Sequence, residues 1–371
     1  MADMQDHGLE NLPGSGPLPD SRKFSSDQLV RWCPGCGDFA VLAVVQKVLA
    51  SLDIPREKYA FISGIGCSSR FPYYMNTYGF HGIHGRALPI ATGVKCANPE
   101  LQVWVATGDG DALSIGGNHF IHTLRRNMDL KVILFNNRIY GLTKGQLSPT
   151  SEFGKKTKST PWGSIEYPVN PITMALASKA TFVAQTLAAD VAGLTDIITR
   201  AAKHQGAVLV EVLQNCVVFN NGAWRKLEDK ATREDNVVRL QHGKPLIFGS
   251  QRNKGIRLRG FSPEVVEFEP DQPPKDLVVH DEKAESPNQA YLISNMSEYG
   301  CPLPVGVLRA VRQPTFHELM ENQIIKAKQA APTDLQAVLN GSEEGGACSC
   351  SNTSPRSSSG PIASRCRRPA G

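Results

Sequence analysis

Short apolar runs alternate with longer segments of helical spacing through the middle of the chain, and this alternation constrains the fold more than any other feature. The apolar runs, which we predict to be strands, are 59–63, 101–107, 130–135, 182–185 and 207–213. The predicted helices between and around them are 38–52, 86–97, 112–127, 171–180 and 188–203. Strands that alternate with helices form βαβ units, whose strands pair in parallel beneath helices on both faces. The sequence therefore predicts an α/β fold with a mostly parallel sheet.

The domain boundaries follow from where this alternation begins and ends. Residues 26–220 carry it, and we predict that they form one domain. Residues 1–25 are rich in Gly, Pro, Asp and Ser, which predicts a disordered leader. Residues 221–340 contain more Pro and charge, and we expect an extension that packs on the domain or on a partner. Residues 341–371 are of low complexity and are predicted to be a tail.

The composition excludes several classes of protein. Of the 371 residues, 41% are hydrophobic and 20% are charged, as in ordinary soluble domains. The net charge of +5 is spread thinly, so it gives no support to nucleic-acid binding. No apolar run approaches the roughly 18 residues of a membrane span, and the acidic start lacks the order of a secretory signal. We therefore expect a cytoplasmic protein whose nine cysteines do not form a disulfide framework.

Polar residues follow two consecutive predicted strands. The sequence Gly-Asp-Gly-Asp occupies 108–111 after one strand, and Asn136-Asn137 ends the next. The carboxyl ends of parallel strands meet at one edge of a sheet, where ligands bind. Carboxylate and carboxamide oxygens suit Mg²⁺, and glycines let backbone N–H groups approach phosphates. By itself, the pattern is also compatible with two ordinary turns.

Four cysteines could converge at the same edge. Cys33 and Cys36 form a CxxC pair, and Cys67 and Cys216 each follow a predicted strand. Four thiolates suit either zinc or an iron–sulfur cluster, whereas a CxxC pair alone suits a redox dithiol. The spacing does not choose among these alternatives.

Five segments together resemble one family. They are WCPGCGD at 32–38, GIGCSSR at 64–70, HGRA at 84–87, GDGDALSIGGNH at 108–119 and NNRIYGLTKGQLSPT at 136–150. In this order they are similar to the beta subunits of 2-oxoacid:ferredoxin oxidoreductases, most of all to the 2-oxoglutarate type. The resemblance implies a thiamine diphosphate-binding fold of the diphosphate-binding type.

The resemblance also implies the residues of the site. The ligands of a 4Fe–4S cluster would be Cys33, Cys36, Cys67 and Cys216. The Mg²⁺ ligands would be Asp109, Asn137 and the carbonyl of Ile139. The thiamine diphosphate contacts would be Ile65, Gly66, Cys67, Ser68, His84, Gly110, Asp111, Gly141 and Leu142. Arg70 is the candidate for binding the substrate carboxylate, and His84 is a candidate catalytic residue.

The activity implied by the resemblance is oxidative decarboxylation of 2-oxoglutarate with coenzyme A to succinyl-CoA, CO₂ and reduced ferredoxin, reversible in principle. An alpha subunit would supply the pyrimidine-binding domain and the activating glutamate, in an αβ or α₂β₂ assembly. Three alternatives remain open: the same chemistry on pyruvate or another 2-oxoacid, a non-oxidative thiamine diphosphate decarboxylase or synthase, and a non-catalytic zinc-binding interaction module. The fold does not choose between substrates.

Overall fold

A computed structural model of the chain describes residues 20–270, 272–330 and 335–340. The predictions for most of the leader and for the tail lie outside the described residues. The chain divides into two compact units after Glu321. The described part of the second unit consists of helical residues.

The secondary structure follows the predicted alternation closely. The strands are β1 Tyr59–Ser63, β2 Tyr78–His81, β3 Gln102–Gly108, β4 Leu130–Asn136, β5 Phe182–Leu187, β6 Val208–Leu213, β7 Val237–Arg239, β8 Ile247–Phe248, β9 Lys254–Arg259, β10 Ser262–Glu267 and β11 Leu303–Ala310. The α-helices are α1 Asp38–Ala50, α2 Phe71–Tyr74, α3 Ala87–Ala97, α4 Asp109–Leu113, α5 Gly117–Arg125, α6 Pro171–Ala177, α7 Val191–Lys203, α8 Arg225–Glu228, α9 Arg233–Asn236, α10 Asn288–Asn295, α11 Phe316–Ala330 and α12 Leu335–Asn340. Short 3₁₀ turns lie at Ser21–Phe24, Arg56–Lys58, Ser68–Arg70 and Met296–Tyr299.

The main sheet has eight strands in the order β2-β1-β3-β4-β6-β5-β11-β7 among the described residues. Its neighbouring strands are parallel, except that β11 runs antiparallel to β5. Gly108 pairs with Phe135, and Asn136 pairs with Leu213. The carboxyl ends of β3, β4 and β6 therefore lie level at one edge. The predicted α/β fold with a mostly parallel sheet is confirmed.

Both faces of the sheet are buried, because alternate side chains of each strand point to opposite layers. On β3, Val103 and Val105 pack in one apolar cluster with residues of α3, α5 and α6, while Trp104 packs in the other with residues of α1 and α7. Trp104 is fully buried and stacks on Phe61 at 5.9 Å between ring centroids. Each large side chain buried in this way contributes about 1.5–3 kcal/mol, so the sheet forms a rigid base for its carboxyl edge.

A buried ionic network closes the opposite, amino-terminal edge of β4. Asp129 accepts from Lys95 Nζ at 2.8 Å and from Lys131 Nζ at 2.6 Å, and the two lysine side chains are only 7% and 3% exposed. Burial by itself would raise the pKa of Asp129, but the two ammonium groups hold that pKa at about 2. The network contains no cavity-lining residue, and its role is to hold this edge together.

The structure differs from the sequence prediction in two places. The predicted helix 112–127 is two helices, because the chain turns at Ser114–Gly116, where a Cβ on Gly116 would lie 2.4 Å from the Asp111 carbonyl oxygen. Residues 221–340 contribute β7 and β11 to the main sheet itself, and β8–β10 form a separate antiparallel sheet. Within the described residues, no helix combines the length and apolar character that a membrane crossing requires.

Candidate cofactor and cluster site

The predicted magnesium ligands lie side by side at the carboxyl edge of the sheet. Asp109 begins α4 directly after β3, and its carboxylate is 2% exposed. Its Oδ2 accepts from Ser148 Oγ at 2.6 Å and from the Thr150 hydroxyl. The same Thr150 hydroxyl contacts Asn136 Oδ1 at 2.9 Å. This one side chain therefore links the end of β3 to the end of β4. Burial raises the pKa of Asp109, and the two hydroxyls partly oppose that rise.

Two consecutive asparagines fold the turn that follows β4. Asn136 Oδ1 accepts from the Arg138 backbone N–H at 3.1 Å, and Asn137 Oδ1 accepts from that of Ile139, also at 3.1 Å. These side chain-to-backbone bonds are the reason that Asn favours turns. Arg138 takes a left-handed conformation with φ of +56°, held by stacking of its guanidinium 3.8 Å over the Trp224 ring. The turn therefore has a fixed shape, and its Asn137 and Ile139 line a cavity at this edge of the sheet.

Asp111 ties two loops to the end of β3 beneath the site. Its Oδ1 accepts from the backbone N–H of Ile65 at 3.0 Å, from that of Gly85 at 2.7 Å and from His84 Nδ1 at 2.6 Å. Its Oδ2 accepts from Thr107 Oγ1 at 2.7 Å. Both carboxylate oxygens are thus occupied by donors of the protein. An ionised carboxylate only accepts, so with Asp111 ionised His84 Nδ1 is the donor of this pair.

Tyr140 covers the glycine between the two aspartates. Its hydroxyl donates to the Gly110 carbonyl at 2.8 Å, and its ring meets the His84 ring edge-on at 6.0 Å between centroids. A Cβ on Gly110 would lie 2.2 Å from Tyr140 Cε1, so only glycine allows this approach. The stretch after the Asn-Asn turn is thereby fixed against the start of α4.

These elements enclose a cavity of about 80 Å³. It is lined by Ile65, Gly66, Cys67, Ser68, His84, Gly108, Asp109, Gly110, Asp111, Phe135, Asn137, Ile139, Tyr140, Gly141, Leu142, Thr143 and Gln214. Every residue that the resemblance assigns to thiamine diphosphate or Mg²⁺ is among them. Pockets for whole ligands have volumes of about 300–1,000 Å³. The space that this chain encloses is therefore smaller than a pocket for a whole ligand.

Two of the predicted cluster ligands meet at the wall of this cavity. A Cβ on Gly141 would lie 3.5 Å from Cys67 Sγ and 3.6 Å from Cys216 Sγ, although the two cysteines are far apart in sequence. Cys67 and Gly141 themselves line the cavity. The two sulfurs thus lie immediately behind the surface that would face the cofactor.

The turn at residues 33–36 approaches the same two segments. The indole N–H of Trp32 donates to the Cys67 carbonyl at 2.7 Å, which attaches the turn to the loop after β1. Gly35 takes a φ of +81°, and a Cβ there would lie 3.6 Å from Val217 Cγ1, next to the fourth cysteine. The turn at residues 33–36 therefore lies beside the segments that carry Cys67 and Cys216.

The chemistry of the thiols reflects their burial and proximity. Burial raises the pKa of Cys67 to about 12, neighbouring Asp38, Cys216 and Cys33 add to that rise, and the charge of Arg70 opposes it. Burial also raises the pKa of Cys36. Thiols become metal ligands as thiolates, so a bound cationic centre would be needed to hold them deprotonated here.

The types of donor atom suit the implied groups: carboxylate and carboxamide oxygens suit Mg²⁺, and cysteine thiols suit an iron–sulfur cluster. Asp109 and Asn137 keep unused lone pairs for Mg²⁺, since each of their oxygens can accept more than one bond. Within the described residues, no three His, Cys, Asp or Glu side chains converge closely enough to hold a single metal ion.

Arg70 differs from the other predicted site residues in its position. It ends the 3₁₀ turn Ser68–Arg70, is exposed, and makes no side-chain hydrogen bond or ion pair with the described residues. It does not line the cavity, although its charge reaches Cys67. Its role in substrate binding stays a prediction.

Sequence reasoning missed the residues that support the site. Ser148 and Thr150 lie within the quoted TKGQLSPT segment, and their polarity was the available signal. Glu211 is buried on β6, donor groups of Asn136 and Gln185 lie 2.6 Å from its two oxygens, and burial raises its pKa. A glutamate within an apolar strand was a signal that something pairs with it.

Comparison with known proteins gives concordant results. Residues 64–212 match the family described as "Thiamine pyrophosphate enzyme, C-terminal TPP binding domain". The 2-oxoglutarate oxidoreductase subunit KorB of Mycobacterium tuberculosis is 49% identical over 89% of this chain and 89% of its own length. The 2-oxoacid:ferredoxin oxidoreductase 1, subunit beta, of Aeropyrum pernix is 39% identical over 74% of this chain and 76% of its own.

A solved structure is similar over nearly the same extent. A chain of the 2-oxoglutarate:ferredoxin oxidoreductase from Magnetococcus marinus, which has 2-oxoglutarate, coenzyme A and succinyl-CoA bound, matches with a TM-score of 0.69 and 32% identity. The match covers 90% of this chain and 97% of that one.

Proposed function

The chain belongs to the beta subunits of 2-oxoacid:ferredoxin oxidoreductases, and from this we propose that it oxidises 2-oxoglutarate with coenzyme A to succinyl-CoA and CO₂ and passes the electrons to ferredoxin. The choice of substrate is supported by relatives named for 2-oxoglutarate and by the ligands bound in the Magnetococcus marinus structure. The proposed cofactors are thiamine diphosphate with Mg²⁺ and one 4Fe–4S cluster.

One observation carries the proposal: the cofactor cavity and the cysteines share a wall. Cys67 lines the cavity, and Gly141 separates the cavity from the sulfurs of Cys67 and Cys216 by a single residue without a side chain. A non-oxidative decarboxylase would have no use for a cluster held at this wall as an electron acceptor. An enzyme that removes electrons from its bound substrate needs one.

The chain's own residues would act as follows. Asp109, Asn137 and the carbonyl of Ile139 would hold Mg²⁺ and, through it, the diphosphate. Thiamine diphosphate, when bound, accepts the electron pair released as CO₂ leaves. His84 lines the cavity, and Asp111 holds its Nδ1. Arg70 would bind a substrate carboxylate through two parallel hydrogen bonds.

The small size of the cavity supports a partner chain. A space of 80 Å³ is smaller than a pocket for a whole ligand, and we propose that an alpha subunit, with its activating glutamate, completes the pocket. A reducing compartment such as the cytoplasm would keep the cysteines available as cluster ligands.

The test is anaerobic purification with the alpha subunit, iron and sulfide analysis, and low-temperature EPR after addition of 2-oxoglutarate and coenzyme A. We expect near four irons per chain and a cluster that is reduced only when both substrates are present. Cys216→Ser should lose the cluster signal, while the matched variant Cys96→Ser, on α3, should retain it. If pyruvate reduces the cluster and 2-oxoglutarate does not, the proposed substrate is wrong but the enzyme class stands. A purified protein without iron would refute the proposed oxidoreductase activity.

A further inference from the structure

Three neighbouring strands carry a row of polar side chains through the apolar sheet. The row consists of Asn136 at the end of β4, Glu211 on β6 and Gln185 on β5. Glu211 and Gln185 are paired in the register of their strands. All three side chains are buried, and Glu211 is only 1% exposed. A glutamate is almost never buried so completely unless it is paired, so its role follows from its partners.

Glu211 binds an amide N–H group with each of its two oxygens. Its Oε1 accepts from Asn136 Nδ2 at 2.6 Å, and its Oε2 accepts from Gln185 Nε2, also at 2.6 Å. A carboxylate offers an acceptor on both sides, whereas a glutamine would offer one acceptor and one donor. Burial raises the pKa of Glu211, and these two bonds oppose that rise. The residue type therefore matches the two donors on either side of it.

The bond to Asn136 decides which way that amide points. With its Nδ2 held by Glu211, the Oδ1 of Asn136 faces the Arg138 backbone N–H at 3.1 Å and the Thr150 hydroxyl at 2.9 Å. A reversed amide would point its oxygen at the carboxylate and its N–H group at that of Arg138. Glu211 therefore keeps the acceptor of Asn136 directed at these two groups.

The two groups lie next to the predicted magnesium ligands. The Arg138 N–H lies between the two ligands that the turn after β4 supplies. The Thr150 hydroxyl also donates to the carboxylate of Asp109. Glu211 itself does not line the cavity, so it can affect an ion bound there only through these intermediates.

We propose that Glu211 is a positioning residue of the magnesium site, and that it acts as a hydrogen-bond acceptor for Asn136 and not through its charge. The inference rests on the proposed function, since it requires the site to bind Mg²⁺ with thiamine diphosphate. None of the family motifs quoted above includes Glu211. A purely structural glutamate would pair two buried amides without any influence on the turn, and it would respond differently to substitution.

The test uses the complex with the alpha subunit, freed of metal and then titrated with Mg²⁺ in saturating thiamine diphosphate by calorimetry. Glu211→Leu removes both acceptors, and we expect its Kd for Mg²⁺ to rise about tenfold, equivalent to 1.4 kcal/mol. Glu211→Gln removes the charge but keeps one acceptor for Asn136. Gln185 makes no other side-chain hydrogen bond among the described residues, so its amide can reverse to match the new donor. The Kd of Glu211→Gln should therefore stay close to the native value.

Gln185→Leu is the matched control, because it disturbs the same carboxylate from the side away from the turn. It should lower the Tm of the complex, since a buried oxygen loses its donor, and it should leave the Kd for Mg²⁺ unchanged. If Glu211→Leu alone does not fold, the double variant Glu211→Leu with Gln185→Leu leaves only the Asn136 amide without its partner. Against Gln185→Leu alone, the double variant should show the same rise in Kd.

Three results would overturn the inference. A native Kd in Glu211→Leu, whatever its Tm, would make Glu211 a structural residue. Equal losses of affinity in Glu211→Gln and Glu211→Leu would mean that the site uses the charge. A Kd raised as much in Gln185→Leu would mean that the contact with Asn136 has no special role. Failure of the unsubstituted complex to bind Mg²⁺ would count against the proposed function and not against this residue alone.

Discussion

The contact between Gly110 and Tyr140 gives the sharpest test of the site. In Gly110→Ala, the new Cβ would lie 2.2 Å from Tyr140 Cε1 and 2.5 Å from Cζ. Carbon atoms in contact are ordinarily about 3.5–4.0 Å apart, so the ring has to retreat by about 1.5 Å. Its hydroxyl would then lose the bond to the Gly110 carbonyl, which is 2.8 Å long in the native chain.

The cost can be worked out from these distances. Inserting a methyl group into a tightly packed contact costs about 1–3 kcal/mol, and the lost hydrogen bond adds roughly 1 kcal/mol. Tyr140 immediately follows Ile139, so its retreat pulls the turn that presents the magnesium ligands. Since every 1.4 kcal/mol is tenfold in an equilibrium constant, a cost of about 2–4 kcal/mol that falls on the cofactor-binding form corresponds to a factor on the order of 10². We therefore expect the Kd for thiamine diphosphate and Mg²⁺ to rise about 100-fold.

The assay is a calorimetric titration of the complex with the alpha subunit. Gly117→Ala is the matched control, because it places the same methyl group on the next helix, where nothing lies within 4 Å. It should bind as the native protein does. Gly110→Ala combined with Tyr140→Leu removes the obstructing ring and should recover most of the affinity, except for the lost hydrogen bond.

Two results would refute this reasoning. Native affinity in Gly110→Ala would mean that the turn is free to adjust and that the tight contact positions nothing. A double variant as weak as Gly110→Ala alone would mean that the ring was not the obstacle.

Three further predictions concern charged and titrating groups. Asp129→Asn leaves two buried lysines without a counter-charge, which costs about 3–5 kcal/mol and should lower the Tm of the complex by roughly 6–10 °C in calorimetry. Burial lowers the pKa of His204 to about 4 in the folded chain, whereas a histidine in the unfolded chain has a pKa near 6.5. Between these two pH values the unfolded chain therefore binds a proton that the folded chain does not. Stability should therefore fall as the pH drops from about 6.5 to 4 in urea titrations, and His204→Gln should make that slope shallower, while the burial-lowered pKa of His280 leaves part of it. Asp111→Asn weakens charge-assisted bonds worth about 1.5–3 kcal/mol, and it should increase amide hydrogen exchange in the loops that carry Ile65 and Gly85.

The sheet was predictable because its signal is local. Strands buried on both faces are apolar along their whole length, and the run 59–63 coincides with β1 for that reason. The break at Ser114–Gly116 was not visible in the helical spacing, because its cause is the approach of the loop at Gly85, whose Cβ would lie 2.6 Å from the Gly116 nitrogen. A contact between distant segments leaves no periodicity in either of them.

The sequence by itself determined the α/β fold, the positions of the magnesium-type motif and the four cysteines, and the family to which these motifs belong. Only the tertiary structure decided how they are arranged: that Asp111 accepts from the two loops that carry Ile65 and His84-Gly85, that Gly141 separates the cavity from the sulfurs, and that the buried amide oxygen of Gln214 has no partner among the described residues. The physical reason is the range of the interactions. Backbone preference and burial give patterns among residues that are close in sequence, so the sequence alone reveals them. The pairing of a buried polar atom depends instead on which distant loop comes within about 3 Å of it.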